Sequence, residues 1–466
     1  MQTLSNDFQA LKQAQQQQPL DASTRRELLL QLKNAILSQQ SLLVEALSHD
    51  YGYRSTFDSV LADIMPCVHH LNYTLKHLKG WMHPQKRRAG LSLWPSTLEV
   101  HYQTKGVVGI IVPWNFPINL SLNPLVTALA AGNRVMVKLS ELTPQTNAAL
   151  RQLLAPFAQW ICVVEGEQAI AAQFSALPFD HLLFTGSTKV GKLVAQAAAK
   201  NLTPITLELG GKSPVVILPD ADLTHSIDAI LLGKCINAGQ ICVAPDYVLL
   251  PQALKADFIA RYFERFQHHY PQAMGNHSAV HALSHIINDQ HHQRLQHYLD
   301  DAKNKGAQIH CPIAQQVPPS ERLMWPHLVT EVSEQMLLMQ EEIFGPILPL
   351  IGYQSPNEAV AYINAHAKPL ALYILGQDKH LQQQIMTSTQ SGSVAINDTL
   401  LQVSADDAPF GGVGDSGMGH YHGEEGFRTF SHARTVLRTP RWLPRAALLL
   451  RHKEKALQFL AKFFLK

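Results

Sequence analysis

The sequence predicts an α/β protein built on parallel β-sheets. From residue 104 onward, short apolar runs rich in β-branched residues alternate with helical stretches, which is the pattern of βαβ units. The first of these runs, residues 107–112, is apolar throughout, as a strand covered on both faces should be. A hydrophobic fraction of 46% over 466 residues is sufficient for a large core.

The elements follow in order along the chain. Residues 5–50 and 56–80 are predicted to be helical, because apolar residues such as Leu28, Leu32 and Ile36 recur at helical spacing. Strands are predicted at 107–112, 134–139, 160–164, 181–184 and 205–209, with helices at 119–131, from Pro144 and at 189–200. After two glycines, a second α/β unit is predicted from strands at 214–218, 247–250 and 393–396 and helices at 223–235 and 252–267.

Composition limits the function. Lys and Arg number 38 against 36 Asp and Glu, a balance that argues against a nucleic-acid partner. The apolar runs are too short to span a bilayer, and the N-terminus lacks the apolar segment of a secretory signal. The five cysteines show no CxxC spacing, so neither a disulfide framework nor a zinc ribbon is indicated. We therefore expect a cytoplasmic protein.

Two glycine-containing segments could approach a phosphate. Gly186 and Ser187 stand between a strand and a helix, where backbone N–H groups can bind an anion or a serine can simply cap the helix. A literal GxGxxG occurs at Gly412, Gly414 and Gly417, but no strand precedes it. We reject it as a nucleotide loop and expect a constrained loop at the active site or between domains.

Two further residues are candidates for chemistry. Glu208 ends a strand at about the offset where a Rossmann unit places its ribose-binding acid, but a catalytic carboxylate or a solvated turn residue also fits. Cys242 follows a glycine-containing turn, where a thiolate can be exposed and activated. The other cysteines are expected to be inert core residues: Cys67, Cys162, Cys235 and Cys311.

A metal site is not predicted. His277, His281 and His285 are spaced by four residues, so a helix would stack them on one face. No carboxylate pattern accompanies them, and the chain is rich in histidine throughout. We therefore expect no metal.

Six short motifs occur in one order: PWNFP at 113–117, KLSELTP at 138–144, FTGS at 184–187, ELGGK at 208–212, GQIC at 239–242 and EIFGP at 342–346. In this order they resemble the NAD(P)-dependent aldehyde dehydrogenase superfamily, over about residues 100–435. Residues 409–432 and the short length resemble its class 3 branch. The overall sequence pattern is similar to that of bacterial coniferyl aldehyde dehydrogenases.

The resemblance implies a Rossmann-like cofactor domain, an α/β catalytic domain and a small β oligomerisation arm. It places the cofactor domain at 1–81 and 104–208, the catalytic domain at 209–395 and the bridging segments at 82–103 and 396–440. A homodimer is expected on the same ground. It also implies oxidation of an aldehyde, aromatic such as coniferaldehyde or medium- to long-chain aliphatic, to the acid.

The resemblance assigns a role to each reacting residue. Cys242 is expected to attack the aldehyde, with the Asn115 amide and its own backbone N–H as the oxyanion hole. Glu208 is expected to activate water that releases the acid, which decides its role in favour of catalysis. Glu342 corresponds to the ligand of the nicotinamide ribose, and Phe344 to the residue packed near that ring.

The remaining cofactor residues inherit contacts to the other half of the dinucleotide. Gly186 and Ser187 correspond to the pyrophosphate site, and Lys138 and Glu141 to the adenosine ribose site. A carboxylate there disfavours a 2′-phosphate, which favours NAD, although class 3 members can accept NADP as well. Two alternatives remain: a CoA-acylating enzyme, which Glu208 disfavours, and a catalytically silent scaffold.

The C-terminal segment, residues 441–466, is a basic amphipathic tail with seven Lys or Arg and one Glu. Apolar residues including Leu457 and Leu460 fall on one face of a predicted helix, and lysines on the other. The tail can pack on its own domain or on a partner subunit, make weak peripheral contact with an anionic membrane, or be disordered. The sequence leaves these alternatives open.

Overall fold

The computed structural model describes residues 2–274, 281–313 and 321–464. Its helices, numbered along the chain, are α1 (Gln2–Gln17), α2 (Ala22–Ser38), α3 (Gln40–Tyr51), α4 (Thr56–Ser59), α5 (Met65–Trp81), α6 (Asn119–Ala130), α7 (Pro144–Leu154), α8 (Gln168–Ser175), α9 (Thr188–Ala199), α10 (Leu223–Cys235), α11 (Lys255–His269), α12 (Asp289–Asn304), α13 (Leu337–Gln340), α14 (Pro356–Asn364), α15 (Lys379–Ser388), α16 (Gly423–Thr429), α17 (Arg445–Arg451) and α18 (Lys453–Phe464). Its strands are β1 (Gln85–Arg87), β2 (Thr97–Thr104), β3 (Val107–Ile111), β4 (Arg134–Lys138), β5 (Ile161–Val164), β6 (His181–Gly186), β7 (Ile205–Leu209), β8 (Pro214–Ile217), β9 (Tyr247–Pro251), β10 (Gln308–His310), β11 (His327–Thr330), β12 (Ile347–Tyr353), β13 (Ala371–Leu375), β14 (Ser393–Ile396), β15 (Gly417–Met418) and β16 (Ser431–Arg438).

The first sheet has the strand order β15-β7-β6-β3-β4-β5, in which β3 to β7 are parallel and β15 is antiparallel. β3 and β4 are buried at every position, which confirms the prediction of a parallel sheet covered on both faces. The chain starts at the central β3, moves outward to β5 and returns through β6. The loops after β3 and β6 therefore meet at the point where an open α/β sheet binds its ligand.

The second sheet has the order β10-β11-β12-β9-β8-β13-β14 and is parallel apart from the β10–β11 pair. It contains the three strands predicted after residue 210 and adds β10 to β13, which the sequence analysis did not identify. The α/β fold class is thus confirmed. The predicted domain boundaries stay a prediction.

A third, smaller sheet joins β1, β2 and β16. β16 pairs antiparallel with β2 over eight residues, from Ser431 opposite Thr104 to Arg438 opposite Thr97. Most of β16 is exposed, so this sheet lies apart from the main core.

Helix α2 packs against α5 and α6 through the leucines and isoleucine that the periodicity identified, and α1 contacts β3 and β4 of the first sheet. Beside them, the N-terminal region is stabilised by charged groups. They contain one buried ion pair, in which Arg54 Nη2 lies 2.8 Å from Asp63 Oδ2 with both side chains fully buried. The second carboxylate oxygen of Asp63 accepts the backbone N–H groups of Ile118 and Asn119. The pair therefore fixes the start of α6 against the helical layer, at the cost of desolvating two charges.

The tail forms two helices, α17 and α18, with a break at His452, rather than one continuous helix. The Arg445 guanidinium donates to the carbonyls of Leu93 and Trp94, which ties the start of α17 to the segment before β2. Several leucines of the tail are exposed: Leu448, Leu449, Leu450, Leu457 and Leu460. In the described part of the chain, we find no helix with the length and apolar character that crossing a bilayer requires.

Candidate active site

The loop that presents Cys242 has an unusual backbone. It follows α10 through a short turn, Ile236–Gly239, in which Asn237, Ala238 and Gly239 have φ values of 48°, 51° and 69°. The left-handed conformation costs roughly 1–2 kcal/mol for a residue with a Cβ atom. Gly239 escapes that cost, and a Cβ there would lie 2.7 Å from the Gly345 carbonyl oxygen. The turn is therefore strained and needs support from its surroundings.

Two buried amides supply the support. The Asn237 side chain donates to the carbonyls of Asn115 (3.1 Å) and Gln240 (3.2 Å). The Gln240 side chain donates to the carbonyls of Asn237 (2.9 Å) and His285 (3.1 Å) and accepts the Ile287 N–H (3.0 Å). The sequence analysis passed over Asn237 and Gln240 although both lie in or beside the GQIC motif.

Asp58 is a further support that the sequence did not reveal. Its carboxylate accepts the backbone N–H of Asn237 at 2.9 Å and the Ser284 hydroxyl at 2.6 Å, and it is buried. It reaches the turn from α4, far away in the chain, so no local pattern could have indicated it.

The structure brings Asn115 and Cys242 together. Asn115 is buried and donates through Nδ2 to the Gln240 carbonyl at 3.2 Å, two residues before Cys242. An amide nitrogen carries two hydrogens, and among the described residues only this one bond uses them. The Asn115 carbonyl is held by the Tyr51 hydroxyl at 3.0 Å, which orients the residue.

The other cysteines match the expectation in part. Cys67 and Cys235 are buried, as expected, and Cys162 is half-buried. Cys311 is exposed, so the prediction that it is a core residue was wrong. It directly follows the edge strand β10, where one side of the chain has no neighbouring strand.

The thiol of Cys242 is protonated at neutral pH in this state. Burial raises its pKa to about 12, and the negative charges of Glu342 and Glu208 act in the same direction. The backbone N–H groups of Cys242 and Val243 oppose the rise, because they favour a thiolate. The cysteine therefore needs a proton acceptor before it can react.

Glu208 is the candidate acceptor. It lies in β7, fully buried, and neither carboxylate oxygen receives a hydrogen bond from the described residues. Burial raises its pKa well above the usual value, and a higher pKa makes the ionised carboxylate a stronger base. The alternative of a solvated turn residue was wrong. Gly417 pairs with Glu208 across β15 and β7, so the glycine-rich loop does lie at the active site.

Four of the cofactor candidates gather at the carboxyl edge of the first sheet. Gly186 ends β6 and Ser187 caps α9, with its hydroxyl accepting the Val190 N–H at 3.4 Å. Lys138 ends β4 and forms a 2.7 Å ion pair with Glu141, which is about half exposed. The capping role of Ser187 is thus real. The serine cap satisfies one N–H group. The other N–H groups in the first turn of α9 have no partners within the helix, as at the start of any helix.

Glu342 and Phe344 lie on the opposite side of the site. Glu342 is fully buried, its pKa is raised to about 8 by burial, and its Oε1 has no partner among the described residues. A Cβ at Gly210 would lie 2.1 Å from the Glu342 carboxylate, so glycine leaves room for it. Phe344 has φ 50° and packs edge-on against Trp114 at 5.3 Å.

Charged side chains that were not predicted from the sequence hold the segment around Phe344, which is the second segment with a strained backbone. Lys212 forms an ion pair with Asp246 and donates to the Glu341 carbonyl at 3.0 Å. Asp246 also accepts the Ile343 N–H at 3.0 Å, and Arg294 donates to the Ile343 carbonyl at 2.9 Å. Lys212 closes the ELGGK motif, which was the one sequence signal for this network.

The histidine series does not form the helix face that its spacing suggested. His277 lies outside the described residues. His281 and His285 lie in a segment without an α-helix, and both pack against the ring of Tyr53, at 4.5 and 5.5 Å. The structure groups no three potential metal ligands within residues 2–274, 281–313 and 321–464.

An apolar cavity leads to Cys242. Its walls come from residues 61–69, residues 116–123, the loop around Cys242 and the segments 400–410 and 421–422, and Ile241 lies in the wall beside Cys242. Representative lining residues are Leu61, Phe116, Leu120, Val243, Leu400 and Phe410. Cys242 thus lines a mainly apolar cavity, and the negative charge of Glu208 acts on its thiol.

Comparisons with known proteins show the family and the fold of the chain. Residues 6–436 match the aldehyde dehydrogenase family. A probable coniferyl aldehyde dehydrogenase of Pseudomonas aeruginosa is 48% identical over 91% of this chain and 88% of its own, and a coniferyl aldehyde dehydrogenase of a Pseudomonas species is 44% identical over 86% and 83%. A substrate-bound structure of Staphylococcus aureus AldH has a TM-score of 0.93 at 36% identity, covering 99% of both chains.

The raised thiol pKa predicts how the free protein reacts with iodoacetamide. Because a pKa of about 12 lies above the range tested, the thiolate fraction of Cys242, and with it the rate of alkylation, should rise about tenfold per pH unit from pH 7 to 10. Peptide mass spectrometry at timed intervals measures the rate, with exposed Cys311 as the internal comparison. A plateau below pH 8 would show that the thiolate already exists in the free protein.

Proposed function

The chain belongs to the aldehyde dehydrogenase family, and from that premise we propose that it oxidises an apolar aldehyde to the carboxylic acid through Cys242, with NAD as cofactor. The observation that carries the proposal is that Cys242 lines the apolar cavity, while Asn115 donates to the carbonyl of nearby Gln240 and the negative charge of Glu208 acts on the Cys242 thiol. Family membership already makes the protein an NAD(P)-dependent enzyme. The proposal adds the residues and the substrate class.

The first step is addition of the thiol. The Cys242 sulfur bonds to the carbonyl carbon, the carbonyl electron pair moves to oxygen, and the thiol proton passes to a base, for which the raised pKa of Glu208 is suited. The oxyanion is met by the free N–H of the Asn115 amide and the backbone N–H of Cys242. One such donor is typically worth about 3 kcal/mol.

The residues present fit a dinucleotide. Glu342 offers a buried oxygen without a partner, and α9 offers N–H groups at its start. Lys138 and Glu141 would hold the adenosine ribose, Gly186 and Ser187 the pyrophosphate, and Glu342 and Phe344 the nicotinamide end. When bound, the cofactor supplies a hydride acceptor.

The second half of the reaction releases the product. Loss of hydride leaves an acyl group on the Cys242 sulfur as a thioester. Glu208 first releases the thiol proton to solvent and then takes a proton from water, the water oxygen bonds to the acyl carbon, the carbon–sulfur bond breaks, and the proton on Glu208 returns to the Cys242 sulfur. A buried carboxyl beside the thioester supports water as the acceptor, whereas a CoA-acylating enzyme would use a thiol. Turnover that depends on added CoA would favour the CoA-acylating alternative. A complete lack of aldehyde-oxidising activity would favour the catalytically silent scaffold.

The substrate proposed is an aromatic aldehyde such as coniferaldehyde, or a medium- to long-chain aliphatic aldehyde. The apolar lining supports both, and two of the relatives named above are coniferyl aldehyde dehydrogenases. The deciding experiment is a panel of coniferaldehyde, benzaldehyde and linear aldehydes, each with NAD and with NADP. Failure to oxidise any of them would overturn the proposal.

Two further proposals concern the setting of the enzyme. Five free cysteines support a reducing compartment such as the cytoplasm. A homodimer rests on the class 3 resemblance alone, and sedimentation velocity would test it.

The tail is proposed to make weak peripheral contact with an anionic membrane. The exposed leucines of α17 and α18 are not covered by the described part of their own chain, and the tail that contains them is strongly positively charged. Both features support a lipid surface or a second copy of the chain. The membrane is the proposal, and the second copy is an outcome of its test.

Cys242→Ala should abolish aldehyde oxidation, because no other group in the site can form the thioester. Binding of NAD, measured by fluorescence titration, should be nearly unchanged. Cys235→Ala, a change at a buried cysteine outside the lining of the cavity at Cys242, should keep most activity. An essential Cys235 together with a dispensable Cys242 would contradict the assignment.

Glu208→Gln keeps size and hydrogen-bonding capacity but removes the base. Turnover should fall at least about 100-fold, as is typical for loss of general base catalysis, and rapid quench should show accumulation of the acyl-enzyme. Glu167→Gln, on the surface before α8, is the matched control. Unchanged turnover in Glu208→Gln would rule out the role.

Glu141→Gln should increase the use of NADP relative to NAD by about tenfold, because even a partly screened charge near a phosphate is worth about 1 kcal/mol or more. The ratio of kcat/KM for the two cofactors measures the change. If the ratio stays the same, Glu141 does not contact the ribose.

Removal of the tail at Pro440 should abolish co-sedimentation with anionic vesicles at low salt, because the exposed leucines and the positive charge are lost together. Neutral vesicles are the control for charge. Equal binding by the full and shortened chains, or none by either, would contradict the membrane proposal. A change of sedimentation coefficient without vesicle binding would assign the tail to a second copy.

A further inference from the structure

Among the polar residues that line the mainly apolar cavity, Asn123 on α6 has an unpaired oxygen. Asn123 lines the cavity, is only 5% exposed and donates through Nδ2 to Asn119 Oδ1 at 2.6 Å. Its own Oδ1 accepts no hydrogen bond from the described residues. Asn123 therefore presents an unsatisfied acceptor in apolar surroundings.

A second unsatisfied polar atom belongs to His422, which lines the same cavity. The His422 ring is 7% exposed and stacks on Phe410 at 5.2 Å, and its Nδ1 has no partner among the described residues. Burial lowers its pKa to about 3, so the ring is neutral and carries a single proton. The backbone of Ala405 hydrogen-bonds the ring and favours its protonated form, as a carbonyl does, which assigns the proton to Nε2. Nδ1 is then an acceptor.

Two acceptors without donors are costly in such a place. A buried polar group left unsatisfied costs about 1–3 kcal/mol. A ligand that brings a hydrogen-bond donor into the cavity would recover that free energy, whereas a purely apolar ligand would leave the cost in place. The chemistry of the two atoms thus specifies a hydroxyl or amine hydrogen on whatever occupies the cavity.

The position of Asn123 shows which part of a substrate it would meet. Phe116, Asn119, Leu120 and Asn123 all line the cavity, so the cavity follows one face of α6. Four helical residues span about 6 Å, which places Asn123 one turn beyond Asn119 and farther from the oxyanion donor Asn115. An aldehyde whose carbonyl lies at Asn115 extends its opposite end toward Asn123.

We propose that Asn123 and His422 form a hydroxyl subsite that selects aldehydes bearing an O–H donor at the end remote from the carbonyl, with rigid para-hydroxylated aromatic aldehydes as the preferred class. The inference rests on the proposed function and deepens it. Conjugation keeps such a molecule straight, so that a para hydroxyl and the aldehyde carbon lie at opposite ends. A flexible alkyl aldehyde has no donor for the subsite.

Three substrates of nearly equal shape test the subsite in the wild-type protein. They are 4-hydroxycinnamaldehyde, cinnamaldehyde and 4-methoxycinnamaldehyde, which offer respectively a donor, no polar group and an acceptor alone. We expect kcat/KM for the hydroxylated compound to exceed that of both others by about 10- to 100-fold, the range of one satisfied buried acceptor. Equal values for the hydroxy and methoxy compounds would overturn the subsite.

Two variants then assign the preference to residues. Asn123→Leu and His422→Phe keep the bulk of the side chain and, for His422, the ring on Phe410. Each should reduce the ratio of kcat/KM for hydroxy- over unsubstituted cinnamaldehyde several-fold while cinnamaldehyde itself is oxidised at least as well. Asn72→Leu makes the same chemical change on the exposed side of α5 and should leave the ratio unchanged.

The outcomes separate the two proposals. Oxidation of none of the three aldehydes with NAD or NADP overturns the proposed function, and the subsite with it. Oxidation of all three at equal rates overturns the subsite alone. A hydroxyl preference that both variants retain overturns the assignment to Asn123 and His422. The wild-type series needs no variant to fold, so the subsite remains testable if a substitution destabilises the protein.

Discussion

The site depends on a strained backbone turn held by buried amides. Asn237 and Ala238 adopt a left-handed conformation that costs free energy, and the Asn237 and Gln240 side chains hold it in place. The same bonds reach Asn115 and the His285 carbonyl. One hydrogen-bond network therefore connects Asn115 with the turn that leads to Cys242.

The electrostatics follow from burial of this network. Cys242, Glu208 and Glu342 share a site with little water, and each has a pKa raised above its ordinary value. Desolvation is the largest cause for all three, so the effect belongs to the cavity rather than to any one pair. A thiol and two carboxyls held in protonated or easily protonated states can pass protons near neutral pH, which neither a surface thiol nor a surface carboxylate would do as well.

The fold brings the site residues together at one edge of the first sheet. Parallel strands end at one edge of the sheet, and the switch between β3 and β6 opens a crevice there. Lys138 and Gly186 end their strands at this edge, and the loop to Asn115 leaves from it. The buried Arg54–Asp63 pair locks the start of α6 beside that loop, and the same helix then forms the wall of the cavity. Helix α6 thus contributes both to the positioning of the site residues and to the selectivity of the cavity.

Much of the fold and part of the site could be predicted from the sequence. The alternation of apolar strands with helices indicated the parallel sheets, because a strand covered on both faces must be apolar throughout. Short motifs led to the prediction of Cys242, Glu208, Asn115 and the cofactor residues, because reacting groups stand beside characteristic neighbours in the chain. The histidine series showed the limit of such reasoning, since helical spacing has no meaning where no helix forms.

The sequence by itself determined the fold class and the family, and it predicted the groups proposed to react. Only the tertiary structure decided which residues support those groups and which residues line the cavity beside them. Asp58 reaches the turn before Cys242, and Asp246 and Arg294 reach the segment at Ile343, from distant parts of the chain, and the unsatisfied atoms of Asn123 and His422 exist only once an apolar cavity has formed around them. The physical reason is that desolvation and hydrogen-bond satisfaction depend on everything that packs around a group, which local sequence does not specify.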